Sequence, residues 1–143
     1  MSRRRVVITG LGCVTALAES ADGLFTALCE GKSGVSSIES FDTSAYPVRF
    51  GGEIKDFNPT KYIEHRESKR MDRFTQFAVA AASQAVDDSG LDFAKEDVFR
   101  VGVIVGTGIG GIKEIEDQHL RLLNKGVRQL SPFTVPRLSL IHI

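Results

Sequence analysis

The chain has 143 residues, no net formal charge, 42% hydrophobic residues and 25% charged residues, which is typical of one modest globular domain. A neutral chain has no overall field that attracts nucleic acid or an anionic membrane, and no apolar run approaches the roughly 18 residues of a membrane span. The two cysteines have neither metal-site spacing nor the pattern of a disulfide framework. We therefore expect a cytoplasmic protein that uses no metal, nucleic acid or membrane.

The first third of the sequence predicts a strand, a helix and a loop region. Residues 5–9 are mostly β-branched and end at a glycine turn, as a short strand does. Ser20 can cap a helix that ends near Glu30, with Leu24, Phe25 and Leu28 on its inner face. The following residues, 32–47, are rich in serine and glycine and suggest a surface excursion. A short strand over residues 50–54 and a brief helix over 58–64 follow.

The clearest predicted element is a long helix over residues 66–89, closed by Gly90. Its apolar residues follow the i, i+3, i+4, i+7 spacing, and the second half of the inner face is nearly all alanine. Small side chains allow a helix to lie very close to a sheet or to another helix. A charged connector over residues 92–100 separates this helix from the next strand.

Residues 101–111, VGVIVGTGIGG, predict a strand buried on both faces and then a glycine-rich turn. The glycines spell the dinucleotide fingerprint G-x-G-x-x-G, but no acidic residue ends a second strand about 20 positions later. The glycines are therefore better explained by close approach of the main chain to another element than by a nucleotide-binding site. We expect a helix over residues 112–123 with Ile115 and Leu122 facing inward, and then a non-helical segment over residues 131–136.

Seven sequence blocks resemble, in order and with the expected spacing, the opening of a stand-alone β-ketoacyl-acyl carrier protein synthase, most closely the bacterial elongating type called synthase II. The blocks are RRVVITGLG (4–12), GKSG (31–34), FDTSAY (41–46), KRMDRF (69–74), DSGL (88–91), GTGIGG (106–111) and SPFTVP (131–136). The similarity continues to about residue 137.

The resemblance implies an α/β fold, the leading part of a thiolase-like layered fold in which helices pack on a mixed sheet, incomplete in this chain. It implies an acyltransferase of fatty-acid synthesis that uses no cofactor of its own. Such enzymes decarboxylate malonyl-acyl carrier protein and condense the carbanion with an acyl group held on a cysteine, and two histidines assist. The partners implied are acyl carrier protein and a second copy of the synthase. The alternative is a non-catalytic partner subunit of a polyketide synthase, of the chain-length-factor type.

The cysteine and histidine segments of such synthases find no match in these residues. Cys13, Cys29, His65 and His119 lie in other sequence contexts, and free cysteines are most often small buried hydrophobic residues. We therefore predict no catalytic residue in this chain and no activity for its 143 residues alone.

A basic cluster stands near the start of the long predicted helix. Cations at a helix N-terminus oppose the helix dipole, and like charges at i, i+4 repel, so the placement suggests a partner. By resemblance Arg66, Lys69 and Arg70 match positions that dock an acidic helix of the carrier protein, and Arg128 is a further contact. The alternative is an ordinary solvated face.

The resemblance also assigns an acyl pocket. Ile109, between Gly108 and Gly110, would border the bound acyl chain and gate its entry, and Phe133 and Thr134 match positions that reach the partner's pocket across a homodimer. The alternatives are a side chain packed beneath the sheet and an ordinary turn.

The end of the chain has a different origin in our interpretation. Residues 1–137 match the N-terminal portion of the synthase domain, whereas residues 138–143, LSLIHI, match the reading-frame translation of a transposase adapter used in sequencing libraries. We expect these last residues to be non-native.

Overall fold

The computed structural model describes residues 3–140, which divide into two compact units. The first unit holds the residues up to 58 together with 80–91, and the second holds residues 59–79 together with those from 92 onward. Among the described residues no helix is both long and apolar enough to cross a membrane.

Helix α1 of the first unit, Ala21–Cys29, forms where the sequence predicts it. The Ser20 hydroxyl accepts a 3.2 Å hydrogen bond from the main-chain N–H of Gly23, which satisfies one of the free donors of the first turn. The predicted inner face is wrong for two of its three residues, whereas Leu24 is half-buried. Phe25 and Leu28 are exposed and border an open apolar groove of about 440 Å³, while Ala27 is the buried residue of this helix.

The alanine face of helix α3, Arg73–Ser89, does permit the close approach that the sequence predicts. The element that approaches it in the first unit is the extended segment at Gly10 and Gly12. A Cβ atom at either glycine would lie within 3.0 Å of the main-chain oxygen of Ala85 or Ala81. The two elements can approach this closely only because the segment has glycine and helix α3 has alanine where they cross.

A small antiparallel sheet completes the first unit. Strand β1, Val35–Ser37, lies inside the predicted surface excursion and was not expected. It pairs with β2, Phe50–Gly52, which is two residues shorter than the predicted strand. Beside the sheet, the Glu53 carboxylate accepts main-chain hydrogen bonds from Glu39 and Ser40. Hydrogen bonding from the Ser40 side chain, and then from the main chain of Glu39, holds the pKa of Glu53 below its usual value.

The two other predicted strands form no ladder among the described residues. Residues 5–9 and 101–105 have no regular secondary structure, and Val6 is 92% exposed and Ile104 is 99% exposed. The expected burial on both faces is therefore absent within residues 3–140. A strand is stabilised by hydrogen bonds to a neighbouring strand, and neither unit supplies that neighbour here.

The single helix predicted over residues 66–89 is two helices, α2 at His65–Ser68 and α3, separated by a turn at residues 69–72. The Asp72 carboxylate accepts the N–H of Arg73, and the main-chain oxygen of Asp72 accepts the N–H of Gln76 in the first turn of α3. The side chain of Gln76 reaches back and donates to the main-chain oxygen of Ser68 at 2.8 Å. Repulsion among the basic residues also disfavours a continuous helix. The brief helix predicted just upstream is a single 3-10 turn, Pro59–Lys61.

The last two helices of the second unit are α4, Ile112–Lys125, and α5, Thr134–Leu138. Helix α4 confirms the prediction, but its buried side chains are Glu114 and Gln118 rather than Ile115 and Leu122, which are exposed. Helix α5 contradicts the predicted non-helical segment. Its proline, Pro136, lies in the first turn, where the missing N–H costs no helical hydrogen bond.

Candidate functional site

The four predicted docking residues all lie in the second unit and are all exposed. Arg66 is on α2, Lys69 and Arg70 are in the turn between α2 and α3, and Arg128 is in the 3-10 turn Val127–Gln129 that follows α4. Their charged groups are therefore available to an acidic partner. The break between the helices explains why Arg66, Lys69 and Arg70 can stand close in sequence without extending one helix against its dipole.

The glycine-rich segment is crowded at Gly110 and Gly111, which lie nearest the helix. Gly110 has φ +73°, and a Cβ there would lie 2.6 Å from the main-chain oxygen of Leu138. At Gly111 a Cβ would lie 2.5 Å from the main-chain oxygen of Arg137. Gly108, by contrast, has open space around it and needs no positive φ. The close approach predicted around Ile109 is thus confirmed on one side of that residue, against the end of α5.

The start of α4 is already occupied by protein. The N–H of Gly111 donates to the main-chain oxygen of Leu138 at 3.3 Å, and the N–H of Ile112 donates to Gly110 at 3.0 Å. A dinucleotide site would need these groups at the helix N-terminus for pyrophosphate. The geometry therefore favours main-chain crowding, as the sequence does.

The predicted acyl-pocket residues are distributed over two segments. Ile109 is 70% exposed and lies in the loop before α4, next to Gly108. Phe133 and Thr134 lie at the start of α5, where the Thr134 hydroxyl donates to the main-chain oxygen of Ser131 at 2.7 Å.

One predicted docking residue contacts one predicted pocket residue. The guanidinium carbon of Arg70 lies 5.5 Å from the centroid of the Phe133 ring, within the range of a cation–π contact. Phe133 is 41% exposed, so the ring is covered on one side and open on another. The sequence resemblance assigns these residues to separate sites, and the structure joins them.

A buried polar network in the second unit was missed by the sequence analysis. Glu114 accepts hydrogen bonds from Gln118 at 3.0 Å and from Arg137 at 3.2 Å. Gln118 in turn accepts the main-chain N–H of Ser131 at 2.9 Å. The i, i+4 spacing of Glu114 and Gln118 was the available signal, but two polar residues on a charged helix usually indicate a solvated face.

The cysteines and histidines form no reactive cluster in the described part of the chain. Cys13 is half-buried, and Cys29 is exposed, which contradicts the buried position expected for it. His65 begins α2 and His119 lies on α4, both exposed. Within residues 3–140, no group of three or more histidine, cysteine, aspartate or glutamate residues could hold a metal ion.

Comparison with known proteins identifies the fold and the family. The sequence model of the family described as "Beta-ketoacyl synthase, N-terminal domain" matches residues 3–141. The 3-oxoacyl-[acyl-carrier-protein] synthase 2 of Vibrio harveyi is 46% identical over 136 residues, and the corresponding protein of Synechocystis sp. is 44% identical over the same length. Each alignment covers 95% of this chain and 33% of the relative, so the chain spans about a third of the length of the curated relatives it matches.

Solved structures give the same result. The ishigamide ketosynthase/chain length factor superposes with a TM-score of 0.80 at 32% identity, covering 96% of this chain and 34% of that one. A type II PKS acyl-carrier protein in complex with its ketosynthase superposes with a TM-score of 0.76 at 26% identity, covering 96% and 35%. The predicted thiolase-like α/β fold is thus confirmed, and the chain belongs to the β-ketoacyl synthase family through its N-terminal domain.

Proposed function

We propose that this chain is part of a β-ketoacyl-acyl carrier protein synthase of fatty-acid synthesis. The observation that carries the proposal is the 46% identity to a 3-oxoacyl-[acyl-carrier-protein] synthase 2 across 95% of the chain. The blocks that carry the resemblance lie on both structural units. The similarity is therefore not confined to one motif.

The proposed reaction forms a carbon–carbon bond between two thioesters. Loss of CO₂ from malonyl-acyl carrier protein leaves a carbanion, which attacks the carbonyl carbon of an acyl group held on a cysteine. The new carbon–carbon bond replaces the acyl–sulfur bond, and the cysteine thiolate leaves. We assign the cysteine and the two assisting histidines to segments other than those described here, and we expect no resident cofactor.

This chain would contribute the carrier-protein docking surface, Arg66, Lys69, Arg70 and Arg128. All four are exposed cations, and a carrier protein with an acidic helix offers the complementary charge. A structural neighbour is a ketosynthase in complex with an acyl-carrier protein, which supports the carrier protein as partner. The same chain would contribute part of the acyl pocket through Gly108, Ile109, Phe133 and Thr134.

Charge reversal tests the docking surface. In the full-length protein, Arg66→Glu combined with Lys69→Glu should raise the KM for carrier-linked substrate by about tenfold, with a steeper dependence on salt. The kcat should change little, because the proposed role of both side chains is binding of the carrier protein and not the chemical step. Arg100→Glu is the matched control, an exposed arginine of the same unit outside the surface. An equal KM for the double variant and the control would remove the docking role.

Condensation activity tests the reaction itself. The full-length protein should release CO₂ from malonyl-acyl carrier protein and form a 3-oxoacyl product with an acyl primer. The alternative is a partner subunit of the chain-length-factor type, which has glutamine at the position of the cysteine and forms no product alone. Product formation that a thiol-blocking reagent abolishes supports the synthase, and glutamine at that position would overturn it.

We further propose that the full-length protein is a cytoplasmic homodimer. Phe133 and Val135 expose apolar side chains at the start of α5, and a second subunit would cover them. Light scattering should give twice the mass of one chain, and a monomeric mass would contradict this arrangement. Cell fractionation should recover the protein with the cytoplasmic enzymes.

A further inference from the structure

The contact between Arg70 and Phe133 links two sites that the proposed function keeps separate. The guanidinium of Arg70 stacks over the Phe133 ring at 5.5 Å from its centroid. The same guanidinium belongs to the proposed docking surface, and by resemblance the same ring reaches the acyl pocket of the partner subunit. One contact therefore has two possible competitors, namely a carboxylate of the carrier protein for the cation and an acyl chain for the ring.

Both partners of this contact are held at the main chain by one path of hydrogen bonds. Arg137 donates to the main-chain oxygen of Lys69, next to Arg70, at 2.6 Å and to Glu114 at 3.2 Å. The path continues from Glu114 to the side chain of Gln118.

From Gln118 the path reaches the ring. Gln118 accepts the N–H of Ser131, and the Ser131 hydroxyl accepts the N–H of Phe133 at 3.2 Å. Glu114 and Gln118 are only 7% and 5% exposed, and their hydrogen bonds join the two segments, although the Nε of Arg137 is buried without a partner among residues 3–140. The main chains beneath Arg70 and Phe133 are thus tied to one another, and the two side chains are freer to move.

We infer that Arg70 is a positioning residue that restrains the Phe133 ring in the free protein and releases it when carrier-protein carboxylates engage the guanidinium. The inference rests on the proposed function and adds a coupling between its two sites. Release allows the ring to turn away from a long acyl chain. By thermodynamic linkage, a long chain that displaces the ring also frees Arg70 for the carrier protein.

The test uses acyl-pantetheine thioesters, which carry the acyl chain but no carrier protein. The dissociation constants of a short and a long thioester are measured with the full-length protein and its variants. Arg70→Met should raise the relative affinity for the long thioester by about two- to fivefold, the strength of an exposed cation–π contact. Arg70→Lys keeps a cation over the ring and should stay close to the wild type.

Two controls separate this effect from a general change in structure or charge. Arg66→Met removes an exposed cation of the same surface for which no ring contact is seen in the described residues, and it should leave the long-to-short ratio unchanged. In a Phe133→Leu background, Arg70→Met should no longer alter the ratio, because the cycle isolates the pairwise contact.

The possible results are distinct. An unchanged ratio in Arg70→Met, an equal change in Arg66→Met, or the same change in the Phe133→Leu background would each overturn the coupling. A wild type that binds the thioesters but forms no condensation product would contradict the proposed reaction alone, and the ratios would still decide the coupling. A wild type that binds no thioester would overturn both.

Discussion

The guanidinium of Arg137 donates a 2.6 Å hydrogen bond to the main-chain oxygen of Lys69, 68 positions earlier in the sequence. This bond ties the turn that carries two of the proposed docking residues to helix α5, which begins just after Phe133. The geometry of the docking surface therefore depends on a residue outside that surface. Arg137 itself depends on Glu114, its buried partner.

Removal of the buried carboxylate should loosen this part of the molecule. Glu114→Ala leaves donors of both Arg137 and Gln118 without their acceptor, which should cost about 1–3 kcal/mol of stability because Arg137 is partly exposed. The measurement is the thermal midpoint of the full-length protein. Glu116→Ala, at an exposed position of the same helix, is the control. Equal midpoints for the two variants would show that the network adds nothing.

Crowding at Gly111 should make an added methyl group costly. A Cβ at this position would lie 2.5 Å from a main-chain oxygen that cannot move without α5. Gly111→Ala should therefore destabilise the full-length protein by about 1–3 kcal/mol. Gly106→Ala is matched to it, because nothing lies within 4 Å of that position. If both variants melt alike, the glycines serve flexibility rather than close approach.

The sequence predicts those features of the fold that depend on local order. Ser20 as a cap and Gly31 as a stop define α1, and the last two glycines of residues 106–111, Gly110 and Gly111, mark the close approach before α4. The break between α2 and α3 was missed because it depends on two side chains, Asp72 and Gln76, that bond to the main chain in place of helix continuation.

The candidate site was predicted residue by residue but not as an arrangement. The cation–π contact of Arg70 with Phe133 joins segments more than sixty positions apart, and no local pattern encodes it. The burial of Glu114 and Gln118 is not predicted by the sequence for the same reason. An apolar periodicity assigns the inner face to Ile115 and Leu122, whereas the segment at residues 131–137 offers the helix polar partners instead.

A bulkier side chain at Ile109 should alter the choice of acyl primer. Ile109 is 70% exposed in this chain, so Ile109→Phe should fold normally and would project more volume toward the proposed acyl pocket. The kcat/KM ratio of long to short primers should fall by about tenfold or more. Ile112→Phe, which is also exposed, should leave the ratio unchanged. An unaltered chain-length profile for Ile109→Phe would count against gating.

We propose that residues 138–143 are translated adapter sequence. Residues 141–143 lie outside the described residues, and the family match extends through residue 141, so the source DNA must decide. Genomic DNA should diverge from the coding sequence directly after codon 137. A natural reading frame that continues to a stop codon after Ile143 would refute this origin. The contact to Gly111 uses only the main-chain oxygen of Leu138, which any residue can supply.

The exposed valine-rich segment at residues 101–105 has a consequence for how such a protein is made. As the polypeptide leaves the ribosome, this segment presents apolar side chains before a neighbouring strand pairs with it. A nascent chain at this stage therefore needs a holding chaperone more than a completed one does. Slow translation would prolong the exposure of this apolar segment, and rapid synthesis of a strand that pairs with it would end that exposure.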